Sequence, residues 1–181
     1  MSIDTAISDV AQALGVDSEA LKRLITFESS FDPAARNAVT GARGLIQFMP
    51  STAKSLGFPD ADSLVNLYPD IESQLRGPVL SYLSKFKPFP TSQSLYMSVF
   101  YPAFRSVAPD TVFPAVVQTS NPGINTVSDY VSRVDAVKNI VFLIKQYSAF
   151  GFFLPVAAGL VAVFYPKIKG LFHGKKSTNE S

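Results

Sequence analysis

The sequence contains no cysteine and no tryptophan, and its single histidine, His173, lies close to the C-terminal end. Without cysteine there can be no thiol nucleophile, disulfide or thiolate metal site, and the redox compartment cannot be judged from cysteine usage. The chain before His173 can hold neither a Ser-His-Asp triad nor a histidine-based zinc site. Acid-base chemistry there must depend on carboxylates, tyrosines or lysines with shifted pKa values.

The sequence also has little net charge outside its C-terminal end. Residues 1–146 carry 12 Lys and Arg against 13 Asp and Glu, a net charge of −1, whereas residues 147–181 carry 4 Lys against 1 Glu, a net charge of +3. Nucleic-acid binding requires clustered Lys and Arg that displace counterions from phosphates. We therefore expect no nucleic acid among the main partners.

Apolar residues at helical spacing predict a mainly α fold. A first helix is expected over residues 4–15, with Asp4 as N-cap, and a second over residues 17–31, ended by the Asp-Pro pair that follows. A longer helical region is expected from Asp70 to Phe86, with a kink at Gly77-Pro78. Further helices are predicted at 50–56, 94–100 and 127–144, and proline-containing loops at 85–91 and 102–123.

Glu28 stands out because helical spacing places its carboxylate on an apolar face. It follows Leu21, Leu24 and Ile25 by seven, four and three residues, so a continuous helix brings all four side chains to one stripe. An unpaired carboxylate is costly to bury, and the usual outcome is a raised pKa or a compensating partner. Periodicity alone favours a structural glutamate at the edge of the stripe over a catalytic one.

Two motifs change that interpretation because they resemble the SLT family of lytic transglycosylases, which is related to goose-type lysozymes. The first is ESSF at residues 28–31, and the second is GARGLIQFMPSTA at residues 41–53. In that family the glutamate of the first motif is the catalytic acid and base, and the second motif builds part of the glycan cleft. The resemblance, which covers roughly residues 15–135, implies a lysozyme-like helical domain with Glu28 as its catalytic residue and Gln47 as a substrate contact.

The same resemblance implies four further cleft residues. Ser29 would orient the carboxylate or the substrate, and Met49 would line the cleft. Tyr96 is the nearest counterpart of the tyrosine in the family's A-Y-N-x-G motif, although the Asn and Gly are missing here. Tyr130, in VSDYV, corresponds to the tyrosine of a late family segment that lies near the catalytic glutamate. Packing within the helical core is the alternative role for Ser29, Met49 and the two tyrosines.

The implied reaction cleaves the β-1,4 bond between N-acetylmuramic acid and N-acetylglucosamine in peptidoglycan with a single carboxylate. Glu28 would protonate the leaving oxygen while the muramic acetamido group assists, and would then accept the C6 hydroxyl proton as a 1,6-anhydro ring closes. The sequence offers no convincing second carboxylate of the kind that most glycosidases use. The cycle requires a Glu28 pKa near neutrality, and it requires neither a metal nor an organic cofactor.

Three alternatives remain open at this point. A hydrolytic muramidase could use the same Glu28 to activate water. A non-catalytic membrane protein could keep the fold for glycan binding or assembly. A lysozyme-like scaffold could also carry an activity that cleaves peptide cross-links instead of glycan.

The C-terminal part of the sequence is typical of a membrane anchor. The run from Tyr147 to Tyr165 carries no charged residue, and four lysines follow it. As a helix the run would span about 28 Å, close to the thickness of a bilayer core. A buried core helix is the alternative, but the lysine-rich ending favours the membrane. The predicted organisation is therefore a catalytic domain at 1–135, a juxtamembrane helix or linker at 136–146, a single transmembrane helix at 147–166 and a basic tail at 167–181.

The first residues, MSIDT, lack the basic start and apolar run of a signal peptide, so no standard export signal is expected there. Together with a C-terminal anchor, this suggests a bacteriophage protein that is held in a virion membrane and opens the wall during entry. The expected partners are glycan strands, lipid and other virion or membrane proteins. A bacterial inner-membrane enzyme is the alternative.

Overall fold

The structure is a computed structural model, and it describes residues 2–137. That part of the chain is mainly helical, as predicted. Its elements, in chain order, are α1 (Ile3–Leu14), α2 (Ser18–Ser29), α3 (Pro50–Ser55), α4 (Ala61–Leu67), α5 (Ile71–Gln74), a π-helical segment (Leu75–Val79), α6 (Leu80–Ser84), α7 (Ser92–Phe100), a 3-10 turn (Pro102–Phe104), α8 (Ala115–Ser120) and α9 (Val127–Ala136).

Helix α2 lies in the middle of this arrangement and packs against α1, α7 and α9. Asp17 starts it by accepting hydrogen bonds from the backbone N–H groups of Glu19 and Ala20, as an N-cap residue does. The predicted apolar stripe is buried, with Leu21, Leu24 and Ile25 all 0% exposed. Burial of this stripe fixes the rotation of α2 and thereby the direction in which its last turn points.

At Gly77-Pro78, where the sequence predicts a kink, the structure has a π-helical segment. Pro78 has no N–H to donate within a helix, and a wider turn accommodates it. Gly77 is required for packing, because a Cβ atom at this position would lie 2.5 Å from Cε1 of Tyr68. The segment therefore joins α5 to α6 without breaking the helical path.

The structure differs from the predicted elements in four places. Helix α2 ends at Ser29, two residues before its predicted end, because the next residue takes a left-handed conformation. The N-cap of α1 is Ser2, not Asp4, because the Ser2 hydroxyl accepts the hydrogen bond from the Thr5 N–H. Helix α4 was not predicted, since only seven residues cannot establish a clear period. Helix α8 and the 3-10 turn lie inside a predicted loop, and neither contains a buried residue that would have given an apolar pattern.

The predicted C-terminal helix is present from Val127 to Ala136. The rest of that prediction, the linker, the transmembrane helix at 147–166 and the basic tail lie outside the described residues. Within residues 2–137 no helix is long and apolar enough to cross a membrane.

Candidate functional site

Glu28 lies in the last turn of α2, one residue before the helix ends at Ser29. The next two residues, Ser30 and Phe31, both have left-handed backbone conformations, with φ of 55° and 61°. Non-glycine residues adopt this conformation at a cost and keep it only where the surrounding structure holds them there. Such strain is commonly found at functional sites, and here it follows directly on the end of the helix at Ser29.

Tyr130 is the hydrogen-bond partner of Glu28. Its hydroxyl donates to Oε1 of Glu28 at 2.7 Å, and its side chain is only 1% exposed. The ring stacks on Phe100 with centroids 4.2 Å apart and meets the edge of Phe27 at 5.5 Å. These aromatic contacts fix the tyrosine, so its hydroxyl holds one carboxylate oxygen in a defined place.

The Glu28 carboxyl has an unusual protonation behaviour. Desolvation by the surrounding protein raises its pKa from 4.5 to about 7, and the hydrogen bond from Tyr130 lowers the pKa only in part. Burial also raises the pKa of Tyr130 well above 10, so this hydroxyl stays protonated and remains a donor. Glu28 is partly exposed to solvent, and near neutral pH it can both give and take a proton.

No other carboxylate within residues 2–137 contributes to the Glu28 pKa. Asp32, the nearest carboxylate along the chain, lies in the turn after α2, where its Oδ1 accepts the Ala34 N–H at 2.8 Å. The same range holds no group of three or more His, Cys, Asp or Glu side chains arranged to bind a metal. As far as the described residues extend, the acid-base chemistry of this site depends on Glu28.

A turn from Gly44 to Gln47 is tied directly to the end of α2. Arg43 and Phe48 exchange two backbone hydrogen bonds, of 2.7 and 3.0 Å, and so close the turn between them. The Ser29 hydroxyl donates to the backbone carbonyl of Leu45 at 2.9 Å, and it also lies 3.2 Å from the carbonyl of Ile25. Ser29 was predicted to orient the carboxylate or the substrate. Its hydrogen bond attaches the second motif to the end of α2, directly beside Glu28.

Gln47 and Met49 belong to the same turn region and reach the surface. Gln47 has φ of 52°, and its Nε2 donates to the Gly44 carbonyl at 3.1 Å. Its Oε1 accepts no hydrogen bond from the residues that the structure describes, and the residue is partly exposed. Met49 is 42% exposed at the start of α3. Both side chains are accessible, as a substrate contact requires.

Tyr96 occupies a different place from the one its resemblance implied. It is 0% exposed, and its hydroxyl accepts a hydrogen bond from Nε of Arg23 at 3.1 Å while it donates to Oδ1 of Asp135 at 3.1 Å. Burial raises its pKa to about 12. In this structure Tyr96 is therefore an interior residue that holds α2, α7 and α9 together, and it presents no surface to a substrate.

Two pairs of residues join α2 to α9. Arg23 forms an ion pair with Asp135 at 3.1 Å, and Glu28 accepts the hydrogen bond from Tyr130. Arg23 and Glu28 are five residues apart on α2, and so are Tyr130 and Asp135 on α9. Because the two helices run in opposite directions, both pairs can form at once. The ion pair therefore stabilises the helix that carries Tyr130. Arg23 and Asp135 were not among the site residues predicted from the sequence. Arg23 precedes Glu28 by five residues and Asp135 follows Tyr130 by five. This equal spacing indicates a second pair only when the antiparallel packing of α2 and α9 is known.

Replacement of Tyr130 by Phe is expected to raise the pKa of Glu28 further. The lost hydrogen bond favours the carboxylate, and such bonds to charged groups contribute about 1.5–3 kcal/mol. The measurement is an NMR titration of the Glu28 side-chain carboxyl carbon in both proteins. Tyr82→Phe, which also removes a hydroxyl that donates to a backbone carbonyl, should leave the Glu28 titration unchanged. An unchanged or lowered Glu28 pKa in Tyr130→Phe would contradict the assigned hydrogen bond.

Comparison with known protein families gives an independent result. The family model of the transglycosylase SLT domain matches residues 5–77 of this chain. No solved structure matches the chain. The matched segment contains Glu28, Ser29, Gln47 and Met49, whereas Tyr96 and Tyr130 lie beyond it. The match supports a transglycosylase-type protein that acts on peptidoglycan, and it covers the half of the site that lies on α2 and the 44–47 turn.

Proposed function

We propose that this protein is a lytic transglycosylase that cleaves the β-1,4 bond between N-acetylmuramic acid and N-acetylglucosamine in peptidoglycan. The observation that carries the proposal is the Glu28 carboxyl, whose pKa of about 7 suits both acid and base catalysis at neutral pH. Glu28 lies within the segment that is similar to the SLT domain. The family supplies the substrate class, Glu28 supplies the acid and base, and Tyr130 holds the Glu28 carboxyl in place.

In the first step, protonated Glu28 donates its proton to the glycosidic oxygen. The bond between that oxygen and C1 of the muramic residue breaks, and N-acetylglucosamine leaves with a free hydroxyl. The acetamido oxygen of the muramic residue attacks C1 and forms a cyclic oxazolinium ion. Tyr130, which donates to Oε1, stabilises the carboxylate that Glu28 becomes.

In the second step, the Glu28 carboxylate accepts the proton of the muramic C6 hydroxyl. The C6 oxygen attacks C1, the oxazolinium ring opens to restore the acetamido group, and a 1,6-anhydro ring results. Glu28 is protonated again, so the cycle consumes no water and needs no second carboxylate. A group with a pKa near the working pH serves both steps better than an ordinary glutamate would.

Gln47 and Met49 are the proposed contacts to the glycan. The Oε1 of Gln47, which accepts no hydrogen bond within the described residues, can accept one from a sugar hydroxyl or an acetamide N–H, while the Nε2 bond to Gly44 keeps the side chain in place. Met49 offers an exposed apolar surface for a sugar ring. Ser29 supports both contacts indirectly, because its hydroxyl holds the 44–47 turn against α2.

Product mass tests the reaction. The full-length chain, in mild detergent and at pH 7, is incubated with purified peptidoglycan, and the soluble products are separated and weighed. The proposal predicts disaccharide products with anhydromuramic ends, lighter by one water molecule than the corresponding reducing sugars. Reducing muramic ends would show that the same glutamate directs hydrolysis. Free amines without new sugar ends would show cleavage of the peptide cross-links, and no product at all would favour a glycan-binding role.

We propose in addition that residues 147–166 anchor the protein in a virion membrane of a bacteriophage, where it opens the wall locally during entry. The uncharged run and the four lysines after it support a membrane anchor. The protein should resist extraction by alkaline carbonate, and Leu154→Arg should release it, whereas Leu67→Arg at an exposed position should not. Purified particles should contain the protein. Its presence only in host membranes would contradict the viral location.

A further inference from the structure

Gln74, the last residue of α5, is a buried polar side chain outside the proposed catalytic machinery. It is 0% exposed, and its amide makes three hydrogen bonds to backbone groups. Its Oε1 accepts from the Leu45 N–H at 2.9 Å, and its Nε2 donates to the carbonyls of Pro33 at 2.7 Å and Tyr68 at 2.9 Å. Both amide hydrogens are therefore used, and three separate stretches of backbone meet at one side chain.

Two of these stretches adjoin the end of α2, where Glu28 lies. Leu45 has its N–H held by Gln74 and its carbonyl held by the Ser29 hydroxyl, so side chains fix both of its backbone polar groups. Pro33 lies in the turn after α2, two residues beyond the left-handed Phe31. Gln74 thus binds the 44–47 turn and the turn after Glu28 to one common point.

The space around this amide admits little variation. Gly44 has φ of +75°, and a Cβ atom built on it would lie 2.6 Å from Oε1 of Gln74 and 3.2 Å from Cγ1 of Val65. The amide oxygen therefore occupies the space that any side chain at position 44 would need. Gly44 and Gln74 form a matched pair, and a change of shape at either position must move the turn that carries Gln47.

We propose that Gln74 is a positioning residue for the Glu28 site. By holding the Leu45 N–H it keeps Gln47 in its left-handed conformation and keeps Ser29 bonded to the turn, although it touches neither Glu28 nor the substrate. The inference rests on the proposed function for its catalytic consequence. The contacts that carry it are independent of that function, and they can be tested without any activity.

The catalytic test uses Gln74→Glu, which keeps the shape of the side chain and changes its hydrogen bonding with pH. An ionised carboxylate cannot donate, and it would face the carbonyl oxygens of Pro33 and Tyr68 in a desolvated place. A protonated carboxyl can donate to one carbonyl and still accept from Leu45. We expect kcat/KM to fall about 10- to 100-fold relative to wild type at pH 8 and to recover towards wild type at pH 5.

Two further variants separate positioning from general damage. Gln74→Met has a similar length but cannot titrate, so its deficit relative to wild type should be the same at pH 5 and pH 8. Gln118→Glu also converts an amide that donates to one backbone carbonyl, that of Phe113, and should stay within about twofold of wild type at each pH. A Gln74→Glu protein with the wild-type pH profile and rate would overturn the proposal.

Amide hydrogen exchange gives a readout that needs no substrate. In Gln74→Met the Leu45 N–H should exchange at least about tenfold faster than in wild type, while buried α1 residues such as Val10 should keep their rates. Unchanged Leu45 exchange in a folded variant would overturn the positioning role even if the protein cleaves peptidoglycan. If Gln74→Met fails to fold, Gln74→Glu compared with wild type at the same pH provides the measurement, and its Leu45 N–H should exchange faster than that of wild type at pH 8 but not at pH 5. If the wild-type protein does not cleave peptidoglycan but the variant still shows faster Leu45 exchange, the proposed reaction is wrong and the positioning role of Gln74 stands.

Discussion

Replacement of Glu28 by Gln is expected to lower the rate of glycan cleavage about a thousandfold or more. Gln keeps the size of the side chain and can still pair with the Tyr130 hydroxyl, but it can neither donate a proton to the leaving oxygen nor accept one from the C6 hydroxyl. General acid-base catalysis by one group typically contributes about 10²- to 10⁴-fold, and here one group serves both steps. The measurement is the release of soluble muropeptides from purified peptidoglycan by the full-length chain.

Asp32→Asn is the matched control for this variant. It removes the nearest carboxylate along the chain, and the asparagine Oδ1 can still accept the Ala34 N–H. We expect its rate to remain within about threefold of wild type, because surface substitutions of this kind are nearly neutral. If Glu28→Gln retains wall-cleaving activity, or if Asp32→Asn loses it to the same extent, the assignment of Glu28 as the catalytic group fails.

The same Glu28→Gln substitution should make the protein more stable at alkaline pH than wild type. The folded-state pKa of Glu28, about 7, lies above its ordinary value of 4.5, so the folded protein binds the proton more tightly than the unfolded chain. The contribution of the Glu28 proton to the free energy of unfolding is complete below pH 4.5, and it is lost as the pH rises through 7. The loss reaches about 3 kcal/mol, and the glutamine variant does not suffer it.

Urea unfolding of both proteins between pH 4 and pH 8 measures this effect. The difference in free energy of unfolding, variant minus wild type, should grow by about 3 kcal/mol across this range. Glu19→Gln removes an exposed glutamate paired with Lys22, and its difference from wild type should change by less than about 1 kcal/mol. Parallel stability curves for Glu28→Gln and wild type would mean that Glu28 is an ordinary carboxylate, unfit for the proposed cycle.

Some parts of the site could be predicted from the sequence because their signals are local. The apolar stripe of α2 carries a helical period, and Glu28 falls on it within a single turn of Ile25. The turn at 44–47 lies inside one continuous motif whose glycines indicate its backbone. Tyr130 could be named from a motif, but its hydrogen bond to Glu28 joins residues that are 102 positions apart, and no local pattern encodes such a pairing.

Other parts had no usable signal. Tyr96 was expected in the cleft because its motif resembles a family segment, but the packing of α7 against α2 and α9 directs its hydroxyl to Arg23 and Asp135. Gln74 looks like any polar residue near the end of a short helix. Its partners are backbone groups, which every sequence possesses, so only the three-dimensional arrangement distinguishes it from a surface glutamine.

The distance along the chain between Glu28 and Tyr130 has a consequence for the protein during its synthesis. The ribosome releases the segment with the carboxylate early, but α9, which supplies Tyr130, emerges only after about a hundred more residues have been translated. Until then the glutamate has neither its hydroxyl partner nor the stacked rings that fix that hydroxyl. An incomplete chain therefore lacks the assembled Glu28 site, and we expect the paired carboxyl only in molecules in which α9 has been synthesised.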